Sequence, residues 1–262
     1  MGLQLCRQLH DLGSSVVIAD INESAGTALA DELDGADAPV SFSPTDMTVP
    51  AQVGRLVADT VNRHGRIDYF FNGVGLVMGS EIRDTPLDDW LNLTDTNLHA
   101  TINGTHVAYQ QMLLQDAAPQ RGHIINFASL AGLLPVPLMT AYSGTKFAVV
   151  GLTLALRAEA RSLGVRVSVI TPGFVRTPIY ETATYHKLDK QKVTDLIFNK
   201  LPVQTPDTAA RNILKGVARD KAVIQTLKAI HPVWWFYRLS PSLYLYFSGA
   251  AMRLMRRRFR TQ

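Results

Sequence analysis

The chain has 262 residues, and 47% of them are hydrophobic, a size and composition that suit one large α/β domain with a single core. Its one cysteine, Cys6, excludes an intrachain disulfide framework, and no apolar stretch reaches the roughly 20 residues that a membrane-spanning helix needs. The net charge of +4 is uneven, because all eight charged residues after Asp220 are basic and residues 1–220 therefore carry −4. A general nucleic-acid-binding surface is thus not expected. No signal-peptide pattern opens the chain, so we expect a cytoplasmic protein.

Apolar runs of strand length alternate with longer helical patterns, which is typical of right-handed βαβ units in a parallel sheet. The predicted strands are residues 15–20, 39–42, 67–72, 123–128, 166–171 and 222–226. The predicted helices include residues 23–33, 50–64, 87–115, 141–162 and 206–217. We therefore predict an α/β fold with a doubly wound, Rossmann-type parallel sheet in a single catalytic domain, residues 1–230. Residues 231–262 are predicted to form a C-terminal aromatic and basic extension.

The most informative pattern lies in the predicted helix 141–162, where Tyr142 and Lys146 are four residues apart. At that spacing the two side chains leave the same face of a helix, about one turn apart. An ammonium beside a phenol favours the phenolate, so we expect a tyrosine pKa that is lowered from its ordinary value of ~10 towards neutrality. Ser129 follows the apolar strand 123–128, and open parallel sheets carry their active sites at that end of the strands. These three side chains together predict an acid–base site.

With these residues in place, the order of the motifs resembles the short-chain dehydrogenase/reductase family, from Gly2 to about Val223. The resemblance implies four catalytic residues, Asn97, Ser129, Tyr142 and Lys146. It also implies an oxidoreductase that moves a hydride between a nicotinamide cofactor and a secondary alcohol or ketone. In that reaction Tyr142 is the general acid or base and Ser129 binds the substrate oxygen. Lys146 holds the nicotinamide ribose, and Asn97 supports a proton relay to it.

The cofactor that the resemblance implies is NAD, with NADP as the alternative. The implied cofactor-binding residues are Gly2, Asp20, Asp46, Asn72, Gly73, Gly75, Tyr142, Lys146, Pro172, Gly173, Val175 and Thr177. Asp20 favours NAD, because a carboxylate at the end of this strand accepts hydrogen bonds from a ribose and repels the extra phosphate of NADP. Gly73 and Val74 depart from the usual Asn-Asn-Ala-Gly motif of the family.

Several of these residues have an ordinary structural role as their alternative. Asp20 could cap the helix that follows it, although Asn22 suits that role better. Asp46 could be a turn residue, and Asn97 a solvated helix residue. The scattered histidines show no metal-binding spacing, so no metal site is expected.

One family element is missing, since the sequence opens at Met1 inside the Gly-rich turn and lacks the strand before it. That strand is central in the family fold, so its neighbours would be left unpaired and part of the pyrophosphate cradle would be lost. We expect this start to be internal to a longer protein. The alternative is a variant with an altered cofactor site, which would be a non-catalytic interaction or regulatory protein.

The predicted substrate is a small lipophilic alcohol or ketone of steroid, retinoid or long-chain type. The apolar residues 133–139 would form one wall of its pocket, and residues 174–201 would form a lid. A homo-oligomer is the expected assembly. In the extension, aromatic residues precede Arg256, Arg257, Arg258 and Arg260, which suits an interfacial helix on anionic lipid. The alternative is packing of the extension on the catalytic body or on a second subunit.

Overall fold

The computed structural model describes residues 1–34, 38–117 and 120–261. The helices are α1 (Gly2–Asp11), α2 (Glu23–Leu33), α3 (Pro50–His64), α4 (Leu87–Thr94), α5 (Ala100–Leu114), α6 (Thr140–Ala160), α7 (Ile179–Thr182), α8 (Lys190–Lys200), α9 (Pro206–Ala218), α10 (His231–Leu239) and α11 (Pro241–Phe259). The strands are β1 (Val16–Asp20), β2 (Val40–Pro44), β3 (Tyr69–Asn72), β4 (Met78–Gly79), β5 (Gly122–Phe127), β6 (Val165–Thr171), β7 (Phe174–Val175), β8 (Thr184–Tyr185), β9 (Val203–Gln204) and β10 (Val223–Gln225).

The main sheet has four strands in the order β10-β6-β5-β3, and each neighbouring pair is parallel. A separate parallel pair, β1–β2, runs in register from Val16 opposite Val40 to Asp20 opposite Pro44. The predicted α/β fold with a Rossmann-type parallel sheet is therefore confirmed. Because parallel strands end at the same edge, the residues that follow β3, β5 and β6 lie together there.

The strands β1 and β3 each have a strand partner on one side, and no ladder joins them within the described residues. Their side chains nevertheless share one hydrophobic cluster, in which Val17 and Ala19 of β1 pack with Phe70 of β3 and with Leu56 of α3.

Helices cover both faces of the main sheet, as the alternation along β5 shows. Ile125 and Phe127 belong to a cluster with Leu5 of α1 and with α9. Ile124, the residue before Ile125, belongs to the opposite cluster, with Met112 of α5 and with Val57 of α3. Since Ile124 is fully buried, its replacement by alanine should cost about 2–5 kcal/mol of stability.

The prediction of one continuous helix over residues 87–115 is wrong. A π-helical turn, Asp95–His99, separates α4 from α5. Such a turn carries an extra residue that hydrophobic periodicity does not reveal, and it is frequent at functional sites. The other predicted elements agree with the structure to within two residues at each end.

The C-terminal extension folds back onto the catalytic body. Its two helices, α10 and α11, pack on each other through aromatic contacts, among them Tyr237 with Tyr244. The Tyr244 hydroxyl donates a hydrogen bond to the Pro135 carbonyl at 2.8 Å, and Phe259 is buried at the end of α11. One face of α11 therefore packs on the rest of the chain, which agrees with the alternative to lipid binding for this extension. No helix of the described residues is long and apolar enough to cross a membrane.

Candidate active site

Two hydroxyl groups meet at the carboxyl edge of the main sheet. Ser129 follows β5, and its Oγ accepts a hydrogen bond from the Ala131 amide at 3.2 Å, which begins a short 3-10 turn. Tyr142 lies in the first turn of α6, is buried, and is near enough to the Ser129 side chain for that hydroxyl to act on its pKa. The structure thus places the two residues close enough to bind a single substrate oxygen.

Lys146 lies one turn further along α6, and 3% of its surface is exposed. Its Nζ is 5.8 Å from the centre of the Tyr142 ring and donates a hydrogen bond to the Phe127 carbonyl at 3.1 Å. The carbonyl therefore fixes the amine at the end of β5. An ammonium has three N–H donors, so this bond still leaves capacity for the hydroxyl groups of a ribose.

Asn97 is fully buried in the π-helical turn. Its Oδ1 accepts from the Leu76 amide at 2.7 Å, and its Nδ2 donates to the Leu76 carbonyl at 3.0 Å. Nδ2 also donates to the Thr145 hydroxyl at 3.3 Å, which connects Asn97 to α6 beside Lys146. The alternative of a solvated helix residue is wrong, because the side chain holds the turn after β3 against α6.

Burial dominates the proton affinities of the site. It raises the pKa of Tyr142, with a smaller opposing effect of the hydrogen bond from Ser129. It lowers the pKa of Lys146 to about 8, because an ammonium is poorly solvated there. The prediction of a lowered tyrosine pKa is therefore wrong for the protein alone, and of the two groups Lys146 has the pKa nearer to neutrality.

Gly75 packs closely against these groups. A Cβ atom at this position would lie 3.1 Å from Asn97 Oδ1 and 3.2 Å from Lys146 Nζ, closer than most real Cβ contacts. Glycine therefore lets the turn after β3 approach the ammonium without filling the space around it. By contrast, a Cβ at Gly73 would meet only Phe127, at 3.9 Å.

Asn72 has a structural role inside the sheet. Its Nδ2 donates to Asn126 Oδ1 at 2.7 Å and to Thr105 Oγ1 at 3.2 Å, which joins β3 to β5 and α5. Its Oδ1 is buried and has no hydrogen-bond partner within the described residues. A contact of this residue with a cofactor stays a prediction.

The two predicted adenosine contacts lie in different surroundings. Asp20 is exposed at the end of β1, and its Oδ1 accepts from the Asn22 amide at 3.0 Å. Asn22 itself caps α2 by accepting from the Ala25 amide, so the expectation that Asn22 is the better cap is confirmed. Asp46 Oδ1 binds the Thr48 amide and hydroxyl at 2.8 and 2.7 Å, which is the turn role given as its alternative.

The remaining predicted cofactor residues lie at two other points of the fold. Gly2 is the first residue of α1, where helix amides lack intrahelical acceptors. The carbonyl of Pro172, after β6, accepts from the Leu130 amide at 2.8 Å, which holds the loop next to Ser129. A Cβ at Gly173 would lie 2.7 Å from Leu227, so glycine permits close packing there. In the following strand Val175 is buried, and its carbonyl accepts from Thr177 Oγ1 at 3.5 Å.

An apolar wall surrounds Tyr142. Its hydrophobic cluster contains Met78 of β4, Leu93 of α4 and Ala183 next to β8, and Met139 and Tyr185 pack against it. The cavity behind this wall, between β4, α4 and β8, measures about 30 Å³, room for roughly one water molecule. Tyr142 itself is 8% exposed, so the wall covers it in this structure.

The sequence of residues 1–187 matches the family model of the short chain dehydrogenases. The chain belongs to the short-chain dehydrogenase/reductase family. It is 34% identical to an uncharacterized oxidoreductase of Staphylococcus aureus over 233 residues, covering 89% of this chain and 93% of that protein. A short-chain dehydrogenase/reductase of Burkholderia phymatum, solved in complex with NAD, is similar with a TM-score of 0.80 at 27% identity, covering 92% of this chain and 89% of that one. A gluconate 5-dehydrogenase of Burkholderia cenocepacia, solved with NADP and tartrate, has a TM-score of 0.62 at 28% identity, with 69% of each chain covered.

In this short-chain dehydrogenase/reductase, the residues at the sheet edge fit a nicotinamide dinucleotide. The observation that supports the fit is the close approach at Gly75, where the absence of a Cβ lets the backbone lie beside the ammonium of Lys146 and the buried amide of Asn97. No group of three or more metal-ligating side chains occurs in the described part of the chain.

Sequence reasoning missed one buried carboxylate of this oxidoreductase. Glu81 is 8% exposed and lies two residues after β4. Its principal partner is Arg256, 175 residues later in the chain, so no local pattern reveals the pair. The signal that the sequence does carry is weak: an acidic residue that follows the apolar run 76–78 within four residues.

Proposed function

We propose that this oxidoreductase transfers a hydride between NAD or NADP and a secondary alcohol or ketone, with Tyr142 as the general acid or base. The observation that carries the proposal is the position of Tyr142, buried beside Lys146 and next to Ser129 where β5 ends. The NAD and NADP complexes of the two similar Burkholderia enzymes support the choice of cofactor.

Each residue has a defined part in this proposal. When bound, the nicotinamide supplies or accepts the hydride. Tyr142 gives its phenolic proton to the substrate oxygen in reduction and takes one in oxidation. Ser129 donates a hydrogen bond to the same oxygen and stabilises the negative charge that develops on it. The Lys146 ammonium orients the ribose and, as a nearby positive charge, favours the phenolate during the proton transfer.

Further cofactor contacts follow from position. Gly2 at the start of α1 would place amides near the pyrophosphate. Asp20 would accept the hydrogen bonds of the adenosine ribose, which favours NAD over NADP. Asp46 would contact the adenine, and the segments after β3 and β6 would border the nicotinamide half. In these segments the proposed contacts are Asn72, Gly73, Gly75, Pro172, Gly173, Val175 and Thr177.

The proposed substrate is lipophilic, of steroid, retinoid or long-chain type. The cluster around Tyr142 supports this class, because its wall residues are apolar or aromatic. Tyr180 supplies a further aromatic ring near Tyr142. Burial raises the pKa of its hydroxyl, and its ring packs edge-on against Phe198, with 5.4 Å between the ring centres. A charged sugar acid would find few polar partners on such a wall.

We also propose that the protein acts in the cytoplasm at a membrane surface, through the outer face of α10 and α11. This face exposes large apolar side chains, among them Trp235, Leu239, Tyr246, Phe247 and Leu254. Three exposed arginines, Arg253, Arg257 and Arg258, lie on α11 as well. Aromatic and apolar side chains beside arginines, with no acidic residue after Asp220, suit an anionic bilayer surface.

The four arginines near the C-terminus do not all face that surface. Arg256 and Arg260 pair with Glu81 of the catalytic body, at 2.8 and 3.2 Å. The proposed lipid contact therefore rests on the other arginines of α11, because the guanidinium groups of Arg256 and Arg260 bind a buried carboxylate.

A homo-oligomer is the proposed assembly. The helices α4 to α6 expose apolar side chains, of which Leu87 and Leu114 are the most exposed, at 68% and 82%. Exposed apolar surface of this kind is commonly covered by a second copy. Light scattering of the purified protein measures the mass directly, and a monomer at all concentrations would contradict the proposal.

The function is tested by NADH binding followed by turnover. We expect the protein to quench or shift NADH fluorescence, and to oxidise NADH in the presence of at least one ketone from a panel of steroid, retinoid and long-chain compounds. Binding without turnover of any compound would instead favour the alternative of a non-catalytic protein that keeps the fold.

A further inference from the structure

Glu81 is the centre of a cluster of three arginines. Arg256 binds both carboxylate oxygens, with Nη2 to Oε2 at 2.8 Å and Nε to each oxygen at 3.1 Å. Arg260 and Arg83 bind Oε1 at 3.2 and 3.1 Å. Hydrogen bonds from Arg256 lower the pKa of Glu81 more than burial raises it, so the carboxylate is charged at neutral pH. This is a bidentate contact around a buried charge, the geometry in which an ion pair is strongest.

The cluster ties the last turns of α11 to the segment that follows β4. Arg260 also binds Asp84, with Nη2 to Oδ1 at 3.0 Å. The backbone of the same turn reaches a second segment, since the Asp189 amide donates to the Phe259 carbonyl at 2.8 Å. Leu188 and Arg260 form an antiparallel bridge there, and Phe259 is buried between the contacts.

The two segments that α11 contacts follow β4 and β8, and these two strands pair with each other in parallel. The Thr184 amide donates to the Val77 carbonyl at 3.2 Å, and the His186 amide donates to the Gly79 carbonyl at 3.1 Å. The Ser80 amide continues the contact by donating to the Leu138 carbonyl, in the loop before Tyr142. This ladder lies in the apolar wall that packs against Tyr142.

We propose that α11 is a strap that holds the β4–β8 wall closed over Tyr142, and that Glu81 is the positioning residue that fastens it. The inference rests on the proposed function, because the wall is the proposed contact surface of the lipophilic substrate. Tyr142 is only 8% exposed beneath this wall, so the wall must move for a substrate of that size to reach the tyrosine and to leave it. The strap sets the equilibrium between the closed and the open wall.

The first test does not require a known substrate. Hydrogen exchange of the full chain is compared with that of the Glu81→Gln variant, which keeps the shape of the side chain and removes its charge. We expect exchange at the amides of Ser80, Thr184 and His186 to become about tenfold faster or more, with no change in β5 and β6. Faster exchange that is confined to α11 and Asp189 would overturn the proposal, because the tail would then be anchored without controlling the wall.

The matched control is Glu32→Gln. Glu32 also makes a bidentate pair with an arginine, Arg7, at 2.9 Å for both bonds, but on the exposed side of α1 and α2. The same chemical change there should leave the exchange of the wall amides within about twofold of the unaltered protein. An equal acceleration in both variants would show a general loss of stability and would contradict the assignment.

A second test separates positioning from structure once a ketone substrate is found. In Glu81→Gln we expect the KM of a long-chain ketone to change about tenfold, while the KM of NADH stays within about twofold. The Arg256→Gln variant should give the same result, and the double variant should add nothing further. Unchanged values of both constants in Glu81→Gln would overturn the proposal, whereas absence of turnover in the unaltered protein would count against the proposed function alone.

Discussion

The Nζ atom of Lys146 lies 5.8 Å from the centre of the Tyr142 ring, and both side chains are buried on one face of α6. Burial raises the pKa of Tyr142 and lowers that of Lys146, because desolvation penalises the charged form of each group. A protonated Lys146 in this buried site therefore lowers the free energy of unfolding, as is common for groups in active sites.

The stability of the protein should depend on pH through Lys146. Its pKa is about 8 in the folded protein and ordinarily 10.5, so the unfolded chain binds more protons between these values. The free energy of unfolding should therefore rise with pH across this window, by up to about 3 kcal/mol relative to a Lys146→Met variant. Urea unfolding of both proteins from pH 7 to 9.5 measures the difference. Lys215→Met, on the exposed face of α9, is the control for general alkaline effects, and parallel curves for all three proteins would refute the prediction.

A methyl group at Gly75 should harm function more than stability. In Gly75→Ala the new Cβ lies against Lys146 Nζ and Asn97 Oδ1, which must shift by a few tenths of an ångström. We expect NADH affinity to fall about tenfold, with little change in melting temperature. Gly151→Ala is the matched control, because a Cβ there meets no atom within 4 Å and alanine should stabilise α6 by about 1 kcal/mol. Unaltered NADH affinity in Gly75→Ala would place the cofactor elsewhere.

The preference for NAD over NADP should depend on Asp20. Replacing its exposed carboxylate by an amide, Asp20→Asn, removes the charge that would repel the 2′-phosphate. The ratio of the two dissociation constants should then shift towards NADP by about tenfold. Asp31→Asn, an exposed change on α2, should leave the ratio as it is. If Asp20→Asn also leaves it unchanged, the carboxylate does not contact the ribose.

Membrane binding should depend on the outer face of α11 and not on the strap. A variant with glutamate at Arg253, Arg257 and Arg258 should lose most cosedimentation with anionic vesicles, since each basic residue contributes about 1 kcal/mol near such a surface. The Arg256→Gln variant should cosediment like the unaltered protein, because Arg256 binds Glu81. Neutral vesicles should bind all three proteins weakly. If the unaltered protein stays in the supernatant with anionic vesicles, this face is an oligomer contact or a solvated surface.

Much of the fold could be predicted because its patterns are local. The apolar pattern of β5 and the cap of α2 at Asn22 depend on residues that are close in sequence. The predicted bounds of both elements agree with the structure to within two residues. The division of the helix 87–115 could not be predicted, because the extra residue of the π-helical turn is held by Leu76, which lies on a different element.

The sequence predicts which residues form the candidate site, but it does not predict their pKa shifts. The spacing of Tyr142 and Lys146 gives their shared face, whereas the sign of the tyrosine pKa shift depends on how completely the wall excludes water. The partners of Glu81 could not be predicted either, since a surface arginine and a buried ion-pair arginine look the same in sequence.

Hydride transfer with Tyr142 as the proton donor can be measured by following deuterium from NADH to the product. The protein is incubated with NADH deuterated at C4, as either stereoisomer, and a panel of lipophilic ketones, and the products are examined by mass spectrometry. We predict an alcohol with deuterium on its carbinol carbon for one stereoisomer, and a loss of at least about 100-fold in Tyr142→Phe with NADH binding retained. Deuterium transfer at an equal rate in Tyr142→Phe would show that Tyr142 is not the proton donor.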